Sequence, residues 1–462
     1  MTTSRRDFLK KAGVGSALFT VGGGMTAGTM LTSCSSSDSG KGKYTRLRPE
    51  SEIYIPDLPD KAIDGKPIRA ALIGCGSRGT GAAFNFLEAG DNLSIVGLAD
   101  IFPDKVEGCR NLLKKDKGIE VPDNACFSGF DAFKKACELP VDLVLIASPN
   151  IFHPEHAKYA IEQGKHVFVE KPATIDAVGY RSFISTLRQA KAKGLNIMNG
   201  AQYHWDRPFV ESYQMIQAGA IGKILSGNVV YNTANESFIR RRPEWSDTEY
   251  MIRSFFNWNW INGDQVSNML IHWIDIFVWF SHAKPIKVSA YGSRIRRTVG
   301  NVYDNFSMDF EFEGGIRMYG MVRRMDGTDN MQGCIIQGDK GVWDSKDFSI
   351  RDLDGNLVWQ FDKKATEEKF KTNDMYKLEH IDLVNHIRKG TVLDITEINT
   401  TSAMTAIMAR ESAYSGKVVT WDGMVASDLN LMPTEFASGQ LGKMDMEKYE
   451  TIPLPGIRYK TD

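Results

Sequence analysis

The sequence predicts an α/β protein: a doubly wound parallel sheet at the N-terminal side, followed by an α+β domain on a large, mostly antiparallel sheet. Three features predict it. A glycine turn, Gly74-Cys75-Gly76-Ser77-Arg78-Gly79, joins the short apolar run Arg69 to Ile73 to a stretch where Ala82, Ala83, Phe86 and Leu87 recur at helical spacing. Val141 to Ala147 is almost continuously apolar, as expected of a parallel strand covered by helices on both faces. From about Ile224 the pattern changes: Phe306, Met308, Phe310 and Phe312 alternate strictly and Gly314-Gly315 turns the chain, an antiparallel signature.

The other elements follow in order. Ser94 to Ala99 reads as a strand, as do His166 to Val169 and Asn196 to Asn199, with a helix from Ala177 to Ala192 between the last two. Later turns are expected at Gly338 to Gly341 and Asp352 to Asn356, and helices at Tyr376 to Arg388 and Thr400 to Ser415. With 462 residues the chain exceeds the size at which one core stops growing. Five segments result: a signal over 1–34, a flexible linker over 35–67, the parallel-sheet domain over 68–203, the α+β domain over 204–423, and a tail over 424–462 that wraps the surface.

Arg5-Arg6, ahead of a weakly apolar, glycine-rich run from Ala12 to Leu31, reads as a twin-arginine export signal rather than a membrane span. Leu31-Thr32-Ser33-Cys34 resembles a bacterial lipobox, which makes Cys34 the lipid-bearing mature N-terminus of a periplasmic protein. Ser35 to Gly42 has too little apolar surface to fold and reads as a tether. The remaining five cysteines show no metal-ligand or disulfide spacing, so they are expected to be buried small hydrophobes and no metal is expected. With 56 basic and 57 acidic side chains and no long block of one sign, nucleic acid is not the expected partner, and the membrane is met only through Cys34. Small molecules are.

The glycine turn carries the chemistry. Gly74 makes the tight turn, Gly76 lets backbone approach a pyrophosphate, Gly79 lets helix and strand pack, and the helix N-terminus offers N–H groups to phosphates, so the whole turn from Gly74 through Cys75, Ser77 and Arg78 is the expected cradle. Asp100 ends the second strand, 21 residues after Gly79, where a carboxylate can accept ribose hydroxyls and repel a 2′-phosphate. The expected domain is therefore of Rossmann type, and the expected cofactor NAD. Ser148-Pro149-Asn150 closes the apolar strand at the edge where such sheets bind ligands; His153 and His156 follow, for which a capping or solvated role is the favoured reading. Glu170-Lys171-Pro172 ends the next strand, where Lys171 can take the proton of a hydroxyl that loses hydride.

Taken together, the glycine turn, Ala147-Ser148-Pro149-Asn150 with His153, Val167 to Pro172 (VFVEKP), and Gly263-Asp264 through Asp275 resemble the Gfo/Idh/MocA oxidoreductase family over roughly residues 68–423. The resemblance implies that Lys171 lies beside nicotinamide and substrate, that Pro172 follows a cis bond, that Glu170, Ser148, Asn150 and His153 flank the cofactor, and that the chain is a homo-oligomer. It also implies a second-domain motif, to which His272 and Asp275 correspond. The acid of that motif is here Asn268, which exchanges no proton, so proton handling shifts to His272 and Lys171. Tyr203, after the last strand of the first sheet, is a further candidate proton donor, and Asn268, Asp275, Trp258 and Trp260 are candidate substrate walls.

The expected activity is NAD-dependent oxidation of a sugar, polyol or glycoside hydroxyl. Because free NAD is scarce outside the cytoplasm, redox-neutral chemistry on a tightly held cofactor is the alternative, as in glycoside hydrolase family 109. A sugar-binding protein without catalysis is a third possibility, supported only by Asn268.

Overall fold

The computed structural model describes residues 46–234, 238–393, 395–434, 444 and 446–456. The expected signal segment and Cys34 lie outside them.

Six strands pair in parallel: β1 (Ile68–Ile73), β2 (Leu93–Asp100), β3 (Cys126–Ser128), β4 (Leu143–Ile146), β5 (His166–Glu170) and β6 (Ile197–Gly200). Their order is β3-β2-β1-β4-β5-β6, so the direction of winding switches between β1 and β4 and opens a crevice at the C-terminal ends of those strands. Every residue of β4 is buried, which is why VDLVLIA shows no alternation. The helices are α1 (Ser77–Glu88), α2 (Pro103–Lys117), α3 (Ala132–Glu138), α4 (His153–Glu162) and α5 (Ala177–Ala192). Pro103 and Asp104 suit the first turn of α2, and Gly118 ends it at a φ of 67°. The Asp176 carboxylate caps α5 by accepting from Gly179 N at 2.6 Å.

The second sheet has nine strands: β7 (Ile224–Thr233), β8 (Pro285–Ser293), β9 (Asn305–Phe312), β10 (Arg317–Arg324), β11 (Met331–Gly338), β12 (Gly341–Asp344), β13 (Ser349–Asp352), β14 (Leu357–Gln360) and β15 (Val419–Thr420). In the order β14-β13-β12-β11-β7-β10-β9-β8-β15, the β7–β10 pair is parallel and the other pairs are antiparallel. Phe306, Met308, Phe310 and Phe312 all point into the core, as their alternation requires. The helices used below are α6 (Arg207–Gln217), α7 (Asp247–Arg253), α8 (Ile271–Ser281), α9 (Met375–Lys389) and α10 (Thr396–Ser415). Helix α8 is apolar almost all round because the sheet covers one side and α10 the other. A π-helical turn, Val266–Leu270, feeds directly into it.

The linker expected to be flexible is anchored over its described residues, and the tail is tied down as well. Leu58 and Ala62 are buried, Leu47 N donates to Gln217 O at 2.9 Å, and the Tyr54 hydroxyl donates to Asp382. Beyond Met424, the chain runs along α5: Val178 N donates to Leu429 O, Leu431 N to the Asp176 carboxylate, and Arg181 to the carbonyls of Val425 and Ser427.

The glycine turn is built as anticipated. Gly74 has a φ of 94°, and a Cβ there would collide with the backbone of Ala147 and Ser148. A Cβ on Gly79 would overlap the Gly74 carbonyl, whereas one on Gly76 would meet nothing within 4 Å. Gly79→Ala is therefore expected to lower folding stability by about 1–3 kcal/mol, the usual cost of overpacking, while Gly76→Ala leaves it nearly unchanged. Thermal unfolding of the two variants checks this, and equal melting temperatures would contradict it.

Candidate active site

A cleft of about 580 Å³ opens at the winding switch. Its walls include Gly74, Gly76 and Ser77 of the turn, Asp100 at the end of β2, and Ser148 at the end of β4. The open space over Gly76 and the N-terminus of α1 together form a cradle that fits a dinucleotide's phosphates. Asp100 is fixed by two backbone donors, Cys75 N at 2.7 Å on one carboxylate oxygen and Phe102 N at 2.9 Å on the other. Burial pushes its pKa up, and these two N–H groups oppose that shift.

The far side of the cleft comes from residues with no local signal in the sequence: Phe102, Lys105 and Phe130 of the first domain, Arg253 of α7, and Met432 of the tail. Arg253 holds α7 against the start of α2. Its guanidinium donates to both Asp104 carboxylate oxygens, at 3.0 and 2.7 Å, and lies 3.8 Å from the Phe102 ring centre.

A second, much smaller cavity of about 10 Å³ lies at the ends of β5 and β6, where Lys171, Asn199, Tyr203, His272 and Asn399 meet. The Lys171–Pro172 bond is cis. Lys171 Nζ donates to the backbone carbonyl of Asn268 at 2.7 Å, so the π-helical turn before α8 supplies the acceptor that aims the amine. Although Lys171 keeps some exposed surface, protein atoms crowd its amine. Burial pushes its pKa down to about 8, with Glu170 pulling it up and the Arg78 and Arg324 charges pushing it further down. His272 sits with its ring centre 5.6 Å from that of Tyr203 and its Nδ1 3.5 Å from Gln202 Nε2. Burial, then the nearby Lys171 charge, hold the imidazole well below its ordinary pKa, so it is neutral. Burial raises the Tyr203 pKa, which keeps its phenol protonated.

The structure thus brings together Lys171, His272, Tyr203 and Asn268, and separately gathers Gly74, Gly76, Ser77, Asp100 and Ser148. Other expected residues lie elsewhere. Cys75 is buried under the turn, its thiol facing the Ala99 carbonyl. Arg78 turns away from the cleft to pair with Glu170, so neither is a cleft wall. Asn150 donates to Asn262 O at 2.8 Å. His153 is wholly enclosed, its ring nitrogens 2.8 Å from Pro172 O and 2.7 Å from Ser148 O; one helical turn on, His156 faces the cleft instead. Its Nδ1 lies 3.0 Å from the Ser148 hydroxyl. Trp258 and Trp260 are core residues, packed with Met251, Ile261 and Tyr449. Asp275 touches the small cavity, but its oxygens are engaged by His204 Nε2 at 2.6 Å and by the Asn399 amide, which makes it an internal anchor.

Two family models match this chain, "Oxidoreductase family, NAD-binding Rossmann fold" over residues 68–198 and "GFO/IDH/MocA C-terminal domain" over residues 209–344. The chain belongs to the Gfo/Idh/MocA family. One relative of this Gfo/Idh/MocA chain is glycosyl hydrolase family 109 protein 1 of Bacteroides fragilis (strain YCH46), 30% identical over 194 residues, which are 42% of this chain and 40% of that one. The chain therefore spans about two fifths of the length of such curated relatives. Among solved structures, scyllo-inositol dehydrogenase from Lactobacillus casei, with bound NAD(H) and scyllo-inositol, shares the fold at a TM-score of 0.58 and 20% identity, covering 77% of this chain and 99% of that one. Aldose-aldose oxidoreductase from Caulobacter crescentus, complexed with glycerol, does so at 0.58 and 17%, with the same two coverages.

A lysine with a midpoint near 8 accepts a proton only above that pH. Turnover limited by proton removal is expected to rise with pH through a midpoint near 8 and then level off, and Lys171→Ala is expected to lower it about a hundredfold or more and to abolish the rise. A pH–rate profile of both proteins checks this; a flat wild-type profile from pH 6.5 to 9.5 would count against Lys171.

Proposed function

We propose that this chain is an NAD-dependent oxidoreductase acting on a hydroxyl of a sugar, polyol or glycoside, with the cofactor held tightly. The observation that carries the reading is the Lys171 amine, aimed by Asn268 into the cavity it shares with Tyr203 and His272. Bound NAD supplies a hydride acceptor. The chain's own groups manage the proton: neutral Lys171 takes it from the substrate hydroxyl at Nζ, the protonated Tyr203 phenol donates a hydrogen bond, and neutral His272 accepts one. Asp100 would hold the ribose and the Gly76 region the phosphates.

A second reading, redox-neutral glycoside cleavage, is favoured by the curated relatives named for glycoside hydrolase family 109. In it, oxidation at one sugar carbon acidifies the neighbouring C–H, the glycosidic substituent leaves, water adds, and the ketone is reduced again. Purified protein is expected to release stoichiometric NAD(H) when denatured. Cleavage of p-nitrophenyl glycosides without net NADH selects the second reading, whereas keto-sugar formation that needs an external acceptor selects the first. Protein that is empty and binds no NAD would exclude both.

Export by the twin-arginine route, a periplasmic location and a lipid on Cys34 belong to the same proposal and rest on Arg5-Arg6 and the lipobox-like Leu31 to Cys34. Cys34→Ala is expected to move the protein from the membrane to the soluble fraction, and an unchanged distribution would remove the anchor. The outer face of the nine-stranded sheet exposes Tyr291, Tyr319, Met321 and Ile335, which supports a homo-oligomer.

A further inference from the structure

Arg78 occupies the fifth position of the glycine turn, yet its guanidinium reaches away from the cleft, between the two domains. It forms an ion pair with Glu170, lies 4.4 Å from the ring centre of Tyr376 on α9, and comes within 3.8 Å of Glu379 on the same helix. Glu170 immediately precedes Lys171. Its side chain is 10% exposed, and its second oxygen accepts from the Lys171 peptide N at 3.3 Å. The carboxylate nearest the Lys171 amine is thus occupied on both oxygens by other donors. Lys171 Nζ bonds instead to the Asn268 carbonyl.

Glu379, at 3.8 Å, makes no hydrogen bond to Arg78. It is wholly buried, its two oxygens have no hydrogen-bond partner among the described residues, and burial holds its pKa well above the usual range while the Arg78 charge pulls it down. The carboxylate that Arg78 hydrogen-bonds is therefore Glu170.

We infer that Arg78 is a positioning residue: by pairing with Glu170 it keeps that carboxylate from the Lys171 amine, which stays aimed at Asn268 O and at the cavity with Tyr203 and His272. Without Arg78, Glu170 would be left as a buried, uncompensated anion, and the flexible Lys171 side chain is the nearest cation able to pair with it. An amine drawn into that pair is both misdirected and harder to deprotonate. The groups around Lys171 that bear on its protonation are Glu170 on its own strand, Arg78 from α1, Arg324 from β10 and His272 from α8. Of these, Arg78 alone acts on Lys171 through Glu170. The inference rests on Lys171 as the group that handles the proton.

The test reads Lys171 directly, without turnover. The purified, cofactor-loaded protein is treated briefly with an amine-acylating reagent across pH 6 to 11, and labelling of the Lys171 peptide is followed by mass spectrometry. The wild-type midpoint is expected near 8. In Arg78→Met it is expected to rise by about one pH unit or more, the usual effect of a newly unmasked opposite charge. Arg78→Lys should fall between, since it keeps the charge but not the fork. Adding Glu170→Gln to Arg78→Met should return the midpoint close to the wild-type value. NAD content per chain should stay at the wild-type level in Arg78→Met.

An unchanged Lys171 midpoint in folded Arg78→Met overturns the inference. So does loss of NAD without a change in midpoint, which would make Arg78 a cofactor contact. If Arg78→Met does not fold, Glu170→Gln alone decides: with the carboxylate gone and Arg78 retained, the midpoint should drop by about one pH unit, and an unchanged midpoint overturns the inference. Because labelling needs no substrate, a protein that oxidises no sugar but shows these shifts would sink the proposed activity and leave the role of Arg78 standing.

Discussion

A primary amine that exchanges protons near neutral pH has to sit where its ammonium form is poorly solvated, and two domains hold Lys171 in such a place. The parallel sheet delivers it at the end of β5, and the π-helical turn of the second domain supplies the carbonyl that orients it. Neither half suffices. An ammonium at the mouth of the parallel sheet alone would be hydrated, and the Asn268 carbonyl alone has nothing to aim. The pairing of Arg78 with Glu170 belongs to the same balance, because a low-dielectric site magnifies every uncompensated charge in it.

Buried polar groups hold the second domain's elements around the site, and one of them reaches the first domain. Arg410, with no exposed surface, donates to the carbonyls of Ile175 and Gly263, which tie α10 to the chain on either side of the site. Asp264 accepts from the Tyr414 hydroxyl and from the N–H groups of Tyr303 and Gln265. His204, Asp275 and Asn399 form a comparable knot under Tyr203. Hydrogen bonds of this kind are directional where apolar packing is not, so they fix how the elements of the second domain sit around the site, and the Arg410–Ile175 bond ties them to the first.

Much of this was legible in the sequence where the signal is local. The glycine turn, the apolar β4 and the alternating β9 each report their own surroundings, and the structure agrees with all three. Lys171 and His272 were legible through a resemblance rather than through spacing. What escaped was direction. Arg78 lies inside the fingerprint but points to α9, a helix some 300 residues on, and nothing near residue 78 encodes that helix. His153 and His156 differ by less than one helical turn, and the choice between an enclosed and a cleft-facing ring depends on where β4 and β5 end. Trp258 and Trp260 have the composition of a sugar-stacking wall, yet their faces are spent on the core cluster around Met251. Residues 46–67 look like a linker by composition, and only the partners on α6 and α9 reveal that they are fastened. Asn268 contributes through its backbone, an assignment to which its side-chain identity gives no clue.

Met432, near the end of the chain, forms part of the wall facing the glycine turn that begins at Gly74. A fragment that stopped short of Met432 would keep the phosphate cradle of the parallel sheet and lack part of the wall that faces it.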